Sequence, residues 1–161
     1  MDDQPRVDEE QLLAVLRALE EHGVSYAIIG GIALGLHGLA RATADLDLFL
    51  RPDEENIERL KDALKAVFDD PNIDDISAKE LSGLYPAVRY WPPAGFGFDL
   101  LTRLGEAFAF NDLEIEEKRF GNVTVPVVTP HTLWRMKKDT VRPIDRIDAD
   151  RLAKRFGFED E

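Results

Sequence analysis

Hydrophobic residues recur along the chain with two different periods, which predict an alternation of helices and strands. Apolar residues spaced three and four positions apart are typical of an amphipathic helix, whereas alternation or a short apolar run is typical of a strand. We predict helices over residues 8–22, 32–39 and about 144–156, and two more that start after Asp53 and after Thr129. We predict strands over residues 25–29, 45–51, 85–91, 96–101, 114–120 and 123–128, and a loop over 69–79.

Local turn and breaker residues organise these elements. Gly121 and Asn122 predict a tight turn between the last two strands, which then form a hairpin. Pro126 predicts that its strand lies at the edge of the sheet, because proline cannot donate to a ladder of hydrogen bonds. The fold class is α/β, with the strands grouped in a central sheet. Nothing marks a domain boundary, so we expect one domain over residues 1–161, on which the C-terminal helices of about 130–157 pack.

The composition is that of a globular protein in the cytoplasm. The chain has 161 residues, of which 44% are hydrophobic and 32% are charged. No apolar run approaches the roughly 20 residues that a membrane span needs, and the acidic start lacks the features of a secretory signal. The absence of cysteine excludes disulfides, thiolate chemistry and cysteine zinc sites.

The net charge of −12 bears on the choice of ligand. An acidic surface repels a polyphosphate backbone on average, so bulk charge does not favour nucleic acid. A nucleotide can still bind if a metal ion and a few cationic side chains neutralise its phosphates locally. We therefore looked for that combination along the sequence.

A glycine pair follows the first predicted strand. The apolar strand ends at Ile29 and runs into Gly30 and Gly31, whose bare backbone lets a phosphate approach closely. A predicted helix comes next, and the N-terminus of a helix favours anions. Alone, such a pair is more often a simple turn.

Three aspartates accompany the glycines. Asp45 and Asp47 share one face of a predicted strand, where two adjacent carboxylates repel each other unless a cation lies between them. Asp99 lies in an apolar strand, where a charge needs a partner. If the two strands are neighbours, all three carboxylates converge. Their oxygens are ligands suited to Mg²⁺ or Mn²⁺, and they could hold two ions about 3.5–4 Å apart.

In this order and spacing, the glycine pair and the three aspartates resemble the core pattern of the nucleotidyltransferase superfamily, the polymerase-beta-like fold. The nearer resemblance is to its small bacterial branch, which contains AbiEii-type toxins and MNT-like proteins. The residues that carry it between the glycines and the acids are His37, Gly38, Arg41 and Thr43, and those near the C-terminus are Lys137, Arg142, Asp145 and Asp148. The resemblance spans residues 24 to about 156. It departs at Gly31, where many members have serine, and in lacking an extra helical domain.

The resemblance implies a mixed central sheet flanked by helices and a metal-dependent transfer of NMP from an NTP to a hydroxyl acceptor. Asp45 and Asp47 are then the primary metal ligands, and Asp99 is a third ligand that helps to deprotonate the acceptor. The implied nucleotide-binding residues are Gly30, Gly31, Arg41, Thr43 and Lys137. The acceptor stays open between a small molecule, an RNA 3′ end and a protein hydroxyl, and a toxin–antitoxin context would add a partner protein.

Other readings of the same residues stay open. Asp99 can be a structural acid paired with Arg89 or Arg103, and His37 can simply pack its ring on the sheet. Asp145 and Asp148 are expected to be structural supports that cap their helix or pair with nearby arginines, and Lys138 is expected in solvent. For the whole chain, the alternatives are a non-catalytic nucleotide-binding or partner-binding module of the same fold, or a hydrolase.

Overall fold

A six-stranded mixed sheet in the order β3-β4-β2-β1-β8-β7 forms the centre of the computed structural model. The structure describes residues 7–39, 43–83, 87–104, 108–140 and 142–159. The strands of this sheet are β1 (Tyr26–Ile29), β2 (Asp45–Leu50), β3 (Ala87–Tyr90), β4 (Gly97–Leu101), β7 (Ile115–Phe120) and β8 (Val123–Val128). Two short strands, β5 (Arg103–Leu104) and β6 (Phe108–Ala109), pair separately. Strand β2 runs parallel to β4 and antiparallel to β1, while β1 runs parallel to β8.

Six α-helices flank this sheet within the described part of the chain. They are α1 (Glu9–Glu21), α2 (Gly30–Leu36), α3 (Glu54–Val67), α4 (Ala78–Ser82), α5 (Pro130–Lys137) and α6 (Pro143–Phe156). The two predicted N-caps are confirmed. The Asp53 side chain accepts from the Asn56 amide at the start of α3, and the Thr129 side chain accepts from the Thr132 amide at the start of α5. None of these helices combines the length and the apolar character that crossing a bilayer would require.

Three sequence expectations about secondary structure are wrong. The segment 69–79 is not a loop, because a 3₁₀ helix (Pro71–Asp75) and the start of α4 bury Ile73 and Ile76 in it. The glycine pair does not precede its helix but forms the first turn of α2. Pro126 lies in β8, which pairs with neighbours on both sides, and the edge strand is β7. A proline lacks one N–H and so loses a bond to only one of its two neighbours, which β8 tolerates.

Alternation along the central strands places the core. Leu46, Leu48 and Leu50 of β2 are fully buried, as are Phe98 and Leu100 of β4. The same buried cluster includes residues of α1, α3, α5 and α6, so the C-terminal helices share one core with the sheet. The intervening residues of β2 and β4 point to the other face, and among them are the three predicted site aspartates.

A buried asparagine ties α3 to the sheet. Asn56 is fully buried, and its side chain accepts from the Ser25 amide at 2.7 Å. Its amide group donates to the carbonyls of Ser25 at 2.9 Å and Arg51 at 2.8 Å. These bonds pair a buried side chain with backbone groups just before β1 and just after β2, and so connect α3 to both strands.

We predict that Asn56→Ala lowers the free energy of unfolding by about 2–4 kcal/mol, because it removes three hydrogen bonds made by a buried side chain. Urea denaturation monitored by circular dichroism measures this change. Asn72→Ala, at an exposed position in the 3₁₀ helix, is the control and should stay within about 0.5 kcal/mol of the unmodified protein. Equal effects of the two substitutions would contradict the role assigned to Asn56.

Candidate active site

The register of β2 against β4 brings the predicted acids together. Asp47 lies directly opposite Asp99, and Asp45 lies opposite Gly97. Residues opposite each other in adjacent strands point to the same face of the sheet. The three aspartates therefore share one face, with Asp47 and Asp99 as a cross-strand pair.

Asp47 is the most constrained of the three acids. Its Oδ1 atom is buried without a hydrogen-bond partner among the described residues. Burial, a hydrogen bond with Asp99 and the negative charges of Asp99 and Asp45 raise the pKa of Asp47 from an ordinary 3.8 to about 7, although the nearby Lys137 opposes this shift. The carboxyl thus lies among groups that favour either a proton or a cation.

Gly30 makes this position of Asp47 possible. It has a φ of +71°, which L side chains rarely adopt, and a Cβ atom on it would overlap the Asp47 Oδ2 atom. The bare backbone that we expected to face a phosphate therefore admits the Asp47 carboxylate first. Gly31 is buried inside α2.

Arg89 neutralises the acids from the neighbouring strand. Its Nη2 atom lies 3.1 Å and 3.2 Å from the two carboxylate oxygens of Asp45. Its Nε atom lies 3.8 Å from Asp99 Oδ1, and its guanidinium stacks over the Trp91 ring, 5.3 Å from the centroid. Sequence reasoning considered Arg89 only for Asp99 and missed Asp45. The sequence does not reveal the register of β3 against β4. This register places Arg89 opposite Asp99, and from there its guanidinium also reaches Asp45.

Lys137 approaches the acids from α5. Its Nζ atom donates to Asp145 Oδ1 at 3.2 Å and to Asp148 Oδ2 at 3.0 Å, and both carboxylates belong to α6. Both aspartates thus pair with Lys137, and Asp145 also pairs with Arg142, one of the expected arginines, whose Nε atom lies 3.8 Å from Asp145 Oδ2. Lys138 packs over the Trp134 ring at 4.7 Å, so the expectation that it lies in solvent is wrong. The ammonium of Lys138 is attracted to the face of the indole, and the methylene groups of the lysine can pack on apolar surface.

The remaining predicted residues lie apart from this face or outside the described residues. The Thr43 hydroxyl donates to the Asp45 carbonyl at 3.1 Å, so it shapes the start of β2. Arg41 lies outside the described residues. His37 is buried, with Nε2 at 2.8 Å from the Val128 carbonyl and Nδ1 at 3.3 Å from Glu116, which resolves its role as packing between α2 and the β7–β8 hairpin.

A cleft of about 440 Å³ opens over the acid pair. Its lining includes Gly30 together with the charged residues Asp47, Asp99, Arg89, Lys137, Arg142 and Asp145. Leu101, Leu104, Leu133 and Met136 give the cleft an apolar wall. A larger, open depression of about 1120 Å³ lies around the starts of α3 and α4, but none of the predicted site residues lines it.

The donor set of the cleft fits a divalent cation. Mg²⁺ typically takes one or two carboxylates and completes its shell with phosphate oxygens and waters. Asp47 and Asp99 offer such a pair, and the buried Asp47 Oδ1 atom lacks any other partner among the described residues. Within the described ranges, no three His, Asp or Glu side chains stand together as a metal site. Asp45, the third predicted ligand, is paired with Arg89.

A mixed sheet whose paired aspartates face a cleft beside a glycine-initiated helix defines the nucleotidyltransferase fold. The chain belongs to the family described as "Nucleotidyl transferase AbiEii toxin, Type IV TA system", whose model matches residues 11–148. It is therefore a nucleotidyltransferase of that family. No curated protein matches it in sequence.

Solved structures share the fold. The lincomycin-bound lincosamide antibiotic adenylyltransferase LnuA is 15% identical, with a TM-score of 0.59, and the match covers 91% of this chain and 97% of that one. ANT(2″)-Ia, in complex with adenylyl-2″-tobramycin, is 19% identical, with a TM-score of 0.53 and coverage of 90% and 86%. A nucleotidyltransferase-like protein from Paracoccidioides brasiliensis is 17% identical, with a TM-score of 0.54 and coverage of 93% and 78%. At these identities the likeness shows the fold alone.

The raised pKa of Asp47 predicts how stability depends on pH. The folded state binds this proton more tightly than the unfolded chain, so without divalent cations stability should fall as pH rises from about 4 towards about 7. Asp47→Asn should remove most of this loss of stability. At about pH 8, its free energy of unfolding should exceed that of the unmodified protein by about 1–3 kcal/mol. Urea unfolding with a chelator, at about pH 5 and about pH 8, measures the difference.

Asp150→Asn is the control, since Asp150 is an exposed acid of α6 paired with Lys154. It should leave the pH dependence unchanged. If Asp47→Asn destabilised the protein at about pH 8 to the same extent as at about pH 5, the electrostatic account of Asp47 would be wrong.

Proposed function

We propose that this chain transfers NMP from an NTP to a hydroxyl acceptor, using Mg²⁺ or Mn²⁺ held by Asp47 and Asp99, with Asp45 as a third ligand. The observation that carries the proposal is the cross-strand pair of Asp47 and Asp99 facing the cleft, with a raised pKa at Asp47. Membership of a nucleotidyl transferase family supports the reaction type.

When bound, the cation would supply charge neutralisation for the triphosphate and acidify the acceptor hydroxyl. In the transfer, the acceptor oxygen forms a bond to the α-phosphorus while the bond to the pyrophosphate oxygen breaks. Asp99 is the better proton acceptor for the hydroxyl because its side chain is 37% exposed, whereas the Oδ1 atom of Asp47 is buried and its Oδ2 atom lies against Gly30. The acceptor proton thus moves to an Asp99 oxygen.

We assign the phosphates to the cationic side of the cleft. Lys137 faces the acid pair closely enough to lower the pKa of Asp47, and Asp145 and Asp148 hold its ammonium in place. A cation fixed in advance binds phosphate without first losing its freedom to rotate. Gly30, which lines the cleft, offers backbone contact, and Gly31, Arg41 and Thr43 remain proposed nucleotide-binding residues by resemblance.

The acceptor lies, in this proposal, along the apolar wall formed by residues such as Leu104 and Met136. Relatives in fold act on antibiotics, as the adenylyl-tobramycin complex of ANT(2″)-Ia shows for that protein. The description of the toxin family instead supports a toxin–antitoxin context. For that context we propose a cytoplasmic location, a partner protein and a protein or RNA acceptor. All three acceptor classes therefore enter the test.

The test is mass spectrometry of candidate acceptors after incubation with each NTP and Mg²⁺. We expect one acceptor to gain the mass of an NMP, and Asp99→Asn to slow the transfer by about 100-fold or more, because it removes a cation ligand and the proton acceptor. Asp150→Asn should retain the full rate. Binding of NTP without transfer to any class of acceptor would favour the binding-module alternative, and release of NMP to water would favour a hydrolase.

Two adjacent lysines of the same chemistry should behave differently. Lys137 lines the cleft, and a desolvated contact with phosphate is worth about 1.5–3 kcal/mol. Lys137→Ala should therefore weaken NTP binding by about tenfold or more, whereas Lys138→Ala, which removes a contact with Trp134, should bind like the unmodified protein. Nucleotide titration by calorimetry compares the two. A larger loss for Lys138→Ala would show that the helix face has been misassigned.

A further inference from the structure

The cations of the cleft are bound to two different sets of carboxylates. Lys137 is held by Asp145 and Asp148, which belong to α6 and are 12% and 0% exposed at their side chains. Arg89 is held by Asp45 and Asp99, which are the proposed metal ligands. Only the second arrangement places a cationic side chain on oxygens that a bound metal ion would also use.

The competition between Arg89 and a divalent cation is direct. One guanidinium nitrogen lies within 3.2 Å of both Asp45 oxygens, and a second lies 3.8 Å from Asp99 Oδ1. A cation bound to these carboxylates would lie a few ångströms from the guanidinium, where like charges repel strongly even in a partly solvated site. Binding of the cation therefore weakens the hold of Arg89 on these oxygens, and the reverse holds as well.

We propose that Arg89 is an exchangeable internal counter-ion: it neutralises Asp45 and Asp99 until a divalent cation takes them, and then turns to the triphosphate. The inference rests on the proposed function, because it needs a metal site at these carboxylates. It assigns Arg89 as a further nucleotide-binding residue that sequence reasoning had not identified.

The surroundings of Arg89 suit an exchange of partners. Its side chain is 59% exposed, compared with 11% for Lys137, and exposed ion pairs are weak enough to break. Trp91 supports the guanidinium by stacking, and this residue is itself 47% exposed. Arg89 and Lys137 line the same cleft, so a triphosphate bound there could contact both side chains. A planar guanidinium can bind phosphate oxygens as well as carboxylate oxygens.

The proposal predicts effects of opposite sign on two ligands. Arg89→Gln should bind Mn²⁺ alone about three- to tenfold more tightly than the unmodified protein, because the competing charge is gone. The same variant should bind NTP in saturating Mg²⁺ about tenfold more weakly, because a charged phosphate contact is lost. Isothermal titration calorimetry measures both affinities.

Arg119→Gln is the matched control for net charge. Arg119 is exposed on β7, at the opposite edge of the sheet from β3, so its loss changes the total charge equally without touching the cleft. It should leave both affinities within about twofold of the unmodified protein. Melting curves for each variant establish that it folds. Arg89→Lys keeps the positive charge but lacks the planar guanidinium, and it is a second variant for the same titrations.

The outcomes separate this inference from the function on which it rests. If the unmodified protein binds neither Mn²⁺ nor NTP, the proposed function fails. If it binds both, but Arg89→Gln binds Mn²⁺ no better than Arg119→Gln, then Arg89 does not compete with metal and the inference is overturned. Weaker Mn²⁺ binding by Arg89→Gln would also overturn it, by showing that Arg89 organises the carboxylates for metal.

Trp91 offers an independent optical readout. The chain has two tryptophans, so Trp134→Phe leaves Trp91 as the sole indole. Addition of Mg²⁺ should change its fluorescence as the guanidinium moves, and adding Arg89→Gln to Trp134→Phe should abolish that change. A change of the same size in both backgrounds would contradict movement of Arg89.

Discussion

The repulsion between Asp47 and Asp99 is the constraint around which the site is arranged. Parallel pairing of β2 and β4 sets the two carboxylates opposite each other, and Gly30 closes over Asp47 from the side. Neither acid can turn away by shifting its strand, because a slip of one residue would expose the buried Leu48 and Leu100. The hydrophobic core thus holds together a pair of charges that would separate if free.

Two cationic side chains offset this repulsion, and they do so differently. Lys137 acts across space on Asp47 while bound to buried carboxylates of α6. Arg89 binds the acids themselves and stacks on an exposed indole. The first arrangement is rigid because its partners are buried, and the second can be broken because its partners and its own side chain meet solvent.

Periodicity sufficed to predict the faces of the strands but not their registers. Alternation along β2 put Asp45 and Asp47 on one face, and the resemblance to a family placed Asp99 beside them. The pairing of Arg89 with Asp45 depends on the β3–β4 hairpin, whose connection carries Pro92 and Pro93 and has no standard two-residue turn from which to count. The sequence did not indicate that Asp145 and Asp148 pair with Lys137, because nearby arginines have the same charge and a suitable spacing. Only the packing of α5 on α6 brings Lys137 to these aspartates.

The difference between the two cations explains how an acidic chain can bind a polyanion. With a net charge of −12, the protein repels triphosphate at a distance, so attraction must arise inside the cleft. Lys137 and Arg89 are both paired with carboxylates, but Asp145 and Asp148 hold Lys137 whether or not a metal binds, whereas Arg89 is held by carboxylates that the metal would take. In the proposed exchange, a divalent cation adds its own charge and also releases that of Arg89. Metal and nucleotide would then bind with positive coupling, since each favours the state in which Arg89 has left Asp45.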